Sequence, residues 1–494
     1  MSNKKIYGLD LRSLGVFRII LGITLIYDLI FNKIIHYNNL YDYTNGIQGK
    51  SYLNSEIYRE SFFSFFNSDY EMPFVFVIAL IVYTLFISGY LYKIFSFLTL
   101  LFFAYISHKY FLTMIGADQI ITALLVFSVF LPLDKAFTVK YLKPSLNKNV
   151  EIRGIAVWGI LIQISLIYFF NAINKTGIYW LEGNAVKIAL ADTITSNMSY
   201  SKSAFYFSNL FSSITTYMTY AYELFFPLLL FFPYKNEKLR CFISFFIILF
   251  HSSIQIFMDV GYFHIVYICI AFLVLPSLFW NKLLSNKLSK KIINTQYNTI
   301  KRVIIISLIF LVIQRNFFNF CSRLTFSDTA IYQVVYYPFK YLNDLPLSTP
   351  FISQYWAFYS PDPPLELGVL TIEGESLDGE KVNLSEINPF DSKNNYKTEK
   401  SDYLRLLTLR MRHFFNLAKN DSKYRDNEKI IELRKIWSNY QLSRITKQHN
   451  LKDYSKIDCI LYSCTSLYLI EKDTLSFKKI NLFNIYVESK NIKQ

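Results

Sequence analysis

Cysteine is scarce in this chain, with five residues in 494. Cys241 and Cys269 fall inside apolar runs, Cys321 lies near the end of the last run, and Cys459 and Cys464 lie in the C-terminal tail. So odd and scattered a set supports neither a disulfide framework nor a metal module. Whether Cys459 and Cys464 are bonded stays open at this stage. There is no phosphate loop, Walker motif, dinucleotide fingerprint, zinc-protease motif or nucleophile elbow, which argues against an ATP-driven pump. No pair of short, broken apolar segments recurs in matching halves, which argues against a secondary transporter. Internal repeats are absent, and low complexity goes no further than a Lys/Asn/Ile/Tyr bias. The opening "MSNKKIYGLDLRSLGVFRIILGITLIYDLI" lacks a small-residue cleavage site and runs into a full-length apolar segment, so a span is expected there rather than a cleaved signal.

What is abundant is apolar and aromatic surface. The chain is 53% hydrophobic and 18% aromatic, and its mean hydropathy of +0.26 is above what soluble domains usually reach. Apolar runs of about twenty residues recur along the first two thirds, the length a helix needs to cross a bilayer. About nine spans are expected by this criterion, near 12–31, 73–92, 94–112, 118–134, 153–173, 216–233, 241–258, 262–280 and 303–320. The expected fold class is therefore mainly α, a polytopic helical bundle embedded in a lipid bilayer. Its net charge of +15 could suggest nucleic acid. However, the basic residues gather in short loops between spans, which is a topology signal. Lys135, Lys140, Lys143, Lys148 and Arg153 lie in one such loop. Lys282, Lys287, Lys290, Lys291, Lys301 and Arg302 lie in another that holds no acid, and "YKNEKLR" at 234–240 is a third. All three fall on one side if the N-terminus is cytoplasmic. An odd number of spans then puts the C-terminal region outside, at an inner (cytoplasmic) membrane, with Lys175 at the outer end of the fifth span.

Composition changes after Phe320. "LGVLTIEGESLDGEKVNL" alternates around Asp378-Gly379, a hairpin signal. Residues from about 399 to 445 carry charges around apolar positions such as Leu404, Leu407, Met411 and Phe415, which suggests helix, and "IDCILYSCTSLYLI" reads as a strand. The chain thus divides into a transmembrane domain, 1–320, and a small extramembrane α+β domain, 321–494.

Ionisable groups inside a span are costly and usually face protein or a wet cavity. In "SLGVFRIILGITLIYDLI", Arg18 and Asp28 stand roughly 80° apart around the helix and about 15 Å apart along it. They are expected to find partners on neighbouring helices rather than each other. In "YFFNAINKTGIYWLEGN", Tyr168, Asn171 and Lys175 follow at i, i+3 and i+7 and share a face. A lysine serves as a base when its amine is neutral, and burial among aromatics such as Phe169, Phe170, Tyr179 and Trp180 disfavours ammonium. The structural alternative is a lysine that snorkels to the headgroups beside an aromatic belt. In "FHSSIQIFMDVGYFHIVYI", His251, Gln255 and Asp259 share a face and His264 follows a glycine break. No cysteine or second carboxylate joins them, so a polar cavity or a buried, satisfied histidine is expected rather than a metal site. Glu223, about a turn into the sixth span, is a candidate partner for a cation such as Lys175.

Four stretches resemble a known family. "SLGVFRIILGITLIYDLI" is similar to the first span of the vitamin K-dependent γ-glutamyl carboxylases and of the wider bacterial set of horizontally transferred transmembrane (HTTM) proteins, through Ser13, Leu14, Phe17, Arg18, Gly22 and Asp28. "IYFFNAINKTGIYWLEGNAV" resembles the segment with Tyr-Phe, a lysine and Trp-x-x-Gly, filled by Tyr168, Phe169, Lys175, Trp180, Glu182 and Gly183. "FHSSIQIFMDVGYFHIVYI" resembles the histidine-bearing span, with His251, Gln255, Gly261 and Phe263 in place. "QYWAFYSPDPP", 354–364, is similar to the Trp-x-x-Phe-x-Pro element that follows the last span in many bacterial members. The resemblance covers roughly residues 10–370.

The resemblance implies that Lys175 is the base that deprotonates a reduced vitamin K of menaquinol type. Oxygen-driven chemistry would then remove a γ-proton from a glutamate of a secreted peptide and carboxylate it. His251 would be the second catalytic candidate, and Tyr168, Asn171, Trp180, Glu182, Gln255 and Glu223 would be candidates for the quinone pocket. Arg18, Asp28 and Asp118 would be structural polar residues, and no metal or nucleic acid is implied. Two features depart from the carboxylases. Their Asn-His pair at the start of the fourth span is replaced by "MIGADQII", with Asp118 near the histidine position, and their long extramembrane region is much reduced. A second reading is therefore kept: an HTTM protein that does not carboxylate and acts in maturation or export of a secreted partner.

Overall fold

The structure is a computed structural model that describes residues 7–40, 72–109, 114–139, 150–191, 208–258, 260–284, 291–321, 351, 354–363, 365–384, 428–446, 449–450, 453–465 and 478–484. Each of the nine apolar runs is helical among the described residues, the one at 262–280 as two helices rather than one. They are α1 (Leu11–Tyr27), α2 (Met72–Ser88), α3 (Tyr92–Lys109), α4 (Gly116–Ser128) and α5 (Ile155–Ile173). Past two short helices, α6 (Ile178–Leu181) and α7 (Ala185–Ala191), come α8 (Asn209–Leu230), α9 (Asn236–Phe257) and α10 (Phe263–Val274). The last two are a short α11 (Ser277–Leu283) and α12 (Thr299–Cys321).

The protein is mainly helical and built for a membrane, but fewer helices than expected are long and apolar enough to cross one. Four pass among the described residues: α1 with its continuation to Ile34, α5, α9 and α12. The number rises to five if α10 and α11 are one span, yet these meet at a bend of 88°. A continuous helix was expected over 262–280. Pro276 breaks it, because proline has no N–H to continue the ladder and pushes the preceding Leu275 into extended backbone (φ −60°, ψ 126°). In α8 a membrane-length helix instead carries Glu223 and a run of Ser and Thr, which lowers its hydropathy.

The central element is α5. It packs against α4, α8 and α12, and Ile160, Ile164, Ile167 and Tyr168 along it are almost wholly buried. Two small sheets flank the bundle. In the first, β1 (Leu9–Asp10) pairs antiparallel with β2 (Val150–Arg153), which pairs parallel with β3 (Lys291–Asn294). Two of its strands lead directly into α1 and α5, and β3 precedes α12. The sheet thus ties together the starts of three long helices beside the basic loops, and nothing in the apolar periodicity announced it. The second sheet runs β5-β4-β6-β7 and is antiparallel throughout: β4 (Glu366–Ser376), β5 (Lys381–Asn383), β6 (Tyr454–Thr465) and β7 (Lys478–Asn484). Its β4–β5 hairpin turns at Asp378-Gly379, where Gly379 adopts φ +83°. The expected helix over 399–445 appears as α13 (Glu428–Ile445), its earlier part lying outside the described residues.

As expected, Arg18 and Asp28 do not pair with each other: Arg18 meets neighbouring elements, while Asp28 departs from the expectation by taking partners on its own helix. Arg18 turns away from acids and donates to backbone carbonyls: Ile87 in α2 at 3.2 Å, and Leu133, Ala136 and Phe137 in the segment after α4. These carbonyls lie at chain ends where the helical ladder leaves acceptors open, and the planar guanidinium reaches several at once. Asp28 takes partners on its own helix, accepting from Asn32 at 2.9 Å and lying 4.0 Å from Lys33. The helix widens into π-type turns over Asp28–Ile34, whose i→i+5 repeat sets Lys33 over Asp28. Asp118 caps the start of α4 from within its first turn, accepting from the Ile115 N–H at 2.6 Å and the Tyr262 hydroxyl at 2.7 Å.

Two tests follow from this packing. Arg18→Met takes this donor from four carbonyls, of which Leu133 and Ala136 are buried, at about 1–3 kcal/mol for each buried one. The variant should lose about 3 kcal/mol or more of stability in detergent, and Arg18→Lys should recover only part of it; a variant as stable as wild type contradicts the role. Cys459 is a free thiol at the middle of β6, and Cys464 stands five residues along the same strand. At about 3.4 Å per residue the two are too far apart to bond. Burial pushes the Cys459 thiol up to about 12, so it should resist iodoacetamide at pH 8 in the folded protein and react on unfolding.

Candidate functional site

The last turn of α5 delivers the site. The helix ends at Ile173 with Asn174 as its cap, and Lys175 follows in a turn where its N–H donates to Ala172 O at 2.9 Å. This turn curls Lys175 back over α5 instead of letting it run on to the surface. The side chain is 4% exposed. Its Nζ donates to Glu223 Oε2 at 2.6 Å and to Asn171 O at 3.3 Å, and it lies 5.0 Å from the centre of the Trp180 ring. The lysine therefore does not snorkel: the structure gives it a carboxylate and an aromatic face. Glu223 arrives from α8 and is buried. Its second oxygen accepts from Asn171 Nδ2 at 2.7 Å.

A second pair stands nearby. Tyr168 OH and His251 Nε2 are 3.0 Å apart. His251, from α9, stacks on Tyr267 of α10 with ring centres 3.4 Å apart, and Tyr168 stacks on Phe226 at 4.0 Å. Among the described residues, the buried Nδ1 of His251 has no hydrogen-bond partner. Both pairs line one cavity of about 1110 Å³, together with Trp180 and residues of α4, α7, α8, α9 and α10. Most of its wall is apolar, with Phe246, Phe250, Phe263 and Ile254 among the lining. Phe211 and Met218 line it too, although they are 47% and 56% exposed on the outside of α8. The cavity therefore reaches the bundle surface beside α8.

Of the residues singled out from sequence, Tyr168, Asn171, Lys175, Trp180, Glu223 and His251 converge on this cavity. Glu182 does not, being exposed at the surface two residues past Trp180. Gln255 is half-buried on α9 outside the lining, although Ile254, Phe257 and Met258 around it line the cavity, so its phase on the helix turns it off the wall. Asp118 is spent on its cap, and the α4 end offers Ile115, Gly116 and Ala117 to the cavity. Asp259 lies outside the described residues.

Sequence reasoning missed how the segment 354–363 is used. It was recognised only as an element following the last span. It folds back across the end of α5 and forms part of the cavity wall. Gln354 is buried in a reciprocal amide pair with Gln163 (2.9 and 2.8 Å) and accepts from Asn316 at 3.0 Å. Asn174 donates to Trp356 O, and Trp180 Nε1 to Tyr359 O, both at 2.8 Å. The Gly177 N–H donates to Pro361 O at 3.0 Å, and a Cβ at Gly177 would overlap Asp362. That approach is why glycine stands there.

The arrangement has a clear chemical capacity. The Lys175–Glu223 bond joins an amine and a carboxylate with no net charge between them. Moving its proton to Glu223 leaves a free amine beside an apolar cavity, ready to accept a proton from a bound acid. No family model, curated protein or solved structure matches the chain.

Breaking a buried ion pair costs more than removing it. Lys175→Met and Glu223→Leu should each destabilise the protein by about 3–5 kcal/mol, while the double variant should recover most of the loss. Unfolding titrations of the four proteins in detergent decide this. Additive losses would mean that the two side chains do not act as a pair.

Proposed function

We propose that this chain is an HTTM-type integral membrane enzyme. It binds a lipid-soluble reduced quinone of vitamin K type in the cavity and uses Lys175 as its general base. The observation that carries the reading is one buried amine, held by a glutamate, at the polar end of a large apolar cavity that reaches the surface of α8. The unpartnered Nδ1 of His251 fits a ligand with a polar head, since a buried imidazole nitrogen without a partner is otherwise costly. Aromatic walls suit a flat ring, and the apolar body of the cavity suits an alkyl chain. The quinol would supply the reducing power and, with oxygen, the driving force for removing a γ-proton from glutamate. Lys175 accepts the quinol proton, and Glu223 holds the amine until the ligand arrives and then takes up its proton. Tyr168 and His251 orient the polar head, and Trp180 screens the amine from water.

In this reading nine segments cross or enter the membrane, with the N-terminus cytoplasmic and residues 321–494 outside. The basic loops support this orientation, and an outward site suits a secreted glutamate-containing peptide. The second reading, a non-carboxylating HTTM protein in maturation or export, is favoured by one observation: at the position where carboxylases carry Asn-His, Asp118 is used as a helix cap and the cavity wall is apolar.

Labelled CO2 fixation and quinone epoxide formation test both. Purified wild type and Lys175→Ala are given a reduced naphthoquinone, oxygen and glutamate peptides. Epoxide and fixed label from wild type, reduced about 10²–10⁴-fold in the variant, support carboxylation with Lys175 as base. Epoxide without label supports quinol chemistry on another acceptor. Neither product from a folded wild-type protein favours the maturation reading.

A further inference from the structure

The 354–363 strap and the Lys175–Glu223 pair are separated by well over a hundred residues, yet one side chain hydrogen-bonds to both. Asn171 sits between the two. Its Oδ1 accepts the backbone N–H of Phe358 at 2.8 Å, and its Nδ2 donates to Glu223 Oε1 at 2.7 Å. Glu223 in turn accepts from Lys175 through its other oxygen. A carboxamide has an acceptor end and a donor end. A donor from the strap fixes which end faces which way, and so obliges the NH₂ to point at Glu223. With the strap N–H gone, the bond to Glu223 is the amide's one side-chain anchor, and the amide is free to swing with or away from the carboxylate. Four more strap residues bond to Asn174, Gly177, Tyr179 and Trp180, so the strap is also held by the turn that carries Lys175. Phe358 is also seated so closely over Gly116 that a Cβ there would overlap its ring.

We propose that Asn171 is a positioning residue that couples docking of the 354–363 strap to the Lys175–Glu223 pair. A seated strap holds Glu223 in its two-oxygen arrangement and keeps Lys175 engaged. An unseated strap releases the Asn171 amide, loosens Glu223 and frees the amine toward the cavity. Passage of a solute between the outer side and the cavity would then change the state of the amine as it moves the strap. The inference rests on the geometry of the pair and the strap, and it holds whether or not the site uses a quinol.

The test is amine accessibility in the full-length protein in nanodiscs, without any activity assay. Reductive methylation with labelled formaldehyde is read by mass spectrometry at each lysine. Lys33 and Lys109, 1% and 0% exposed, report loss of the overall fold. Phe358→Pro removes the strap N–H, Phe358→Leu keeps it, and Asn171→Leu removes the connecting amide. A hydrogen bond to a charged group is worth enough to change accessibility about tenfold. The expected result is about a tenfold rise in Lys175 methylation in Phe358→Pro and in Asn171→Leu, with Lys33 and Lys109 unchanged and Phe358→Leu near wild type. Three results would overturn the proposal: unchanged Lys175 methylation in Asn171→Leu, a rise shared by Lys33 and Lys109 in Asn171→Leu, or equal effects from Phe358→Leu and Phe358→Pro.

Discussion

A lysine taken out of water must be given a partner, and much of this site follows from that demand. Lys175 stands just beyond the end of α5, where a longer side-chain path would let it reach the headgroup region. The turn after Ile173 folds it inward instead. Once inward, it needs a carboxylate, and α8 brings Glu223 at the cost of its own apolar character. Glu223 needs a second donor, which Asn171 supplies, and Asn171 needs its oxygen satisfied, which the strap supplies. Each requirement passes to a residue more distant in the chain, until the segment after the last long helix is tied to the middle of the protein.

The buried polar groups of the bundle divide by what answers them. Arg18 is answered by carbonyls at chain ends, Asp118 by a helix start and a tyrosine, and Asp28 by its own helix. None of these opens on the cavity, and their work is to fix the bundle. Lys175, Glu223, Tyr168 and His251 form two pairs that do open on it, and one nitrogen among them is left without a partner. A bundle in lipid has little hydrophobic force between its helices, so hydrogen bonds and close packing must hold the cavity open. The aromatic stacks on His251 and Tyr168 give the pairs stiff supports.

The same economy holds at the two ends of the bundle. On the side of the basic loops, a sheet of three very short strands gathers the starts of α1, α5 and α12. Near the end of α5, the strap does so through side-chain amides, with Gln354 meeting Gln163 and Asn316. Long helices alone set neither their ends nor their depth, and in this protein both are set by short polar contacts.

Much was legible in the sequence because it depends on local composition. Apolar runs of membrane length, the β4–β5 hairpin at Asp378-Gly379, and the shared face of Tyr168, Asn171 and Lys175 follow from spacing along the chain, which helix and strand geometry convert directly into position. Spacing also exposed Glu223 and His251 as charges or rings in costly places. It could not separate Gln255 from His251, one turn apart, or tell that Glu182 faces outward, because helix phase at a break depends on the neighbours. It gave no warning of the bend at Pro276 or of the edge-to-edge meeting of β1, β2 and β3, whose pairing partners are remote in sequence. Which cation meets Glu223, and that Phe358 rather than any nearby group satisfies Asn171, were decided by tertiary structure alone. A hydrogen bond acts over about 3 Å, and only the folded chain brings residues so far apart in sequence within that distance.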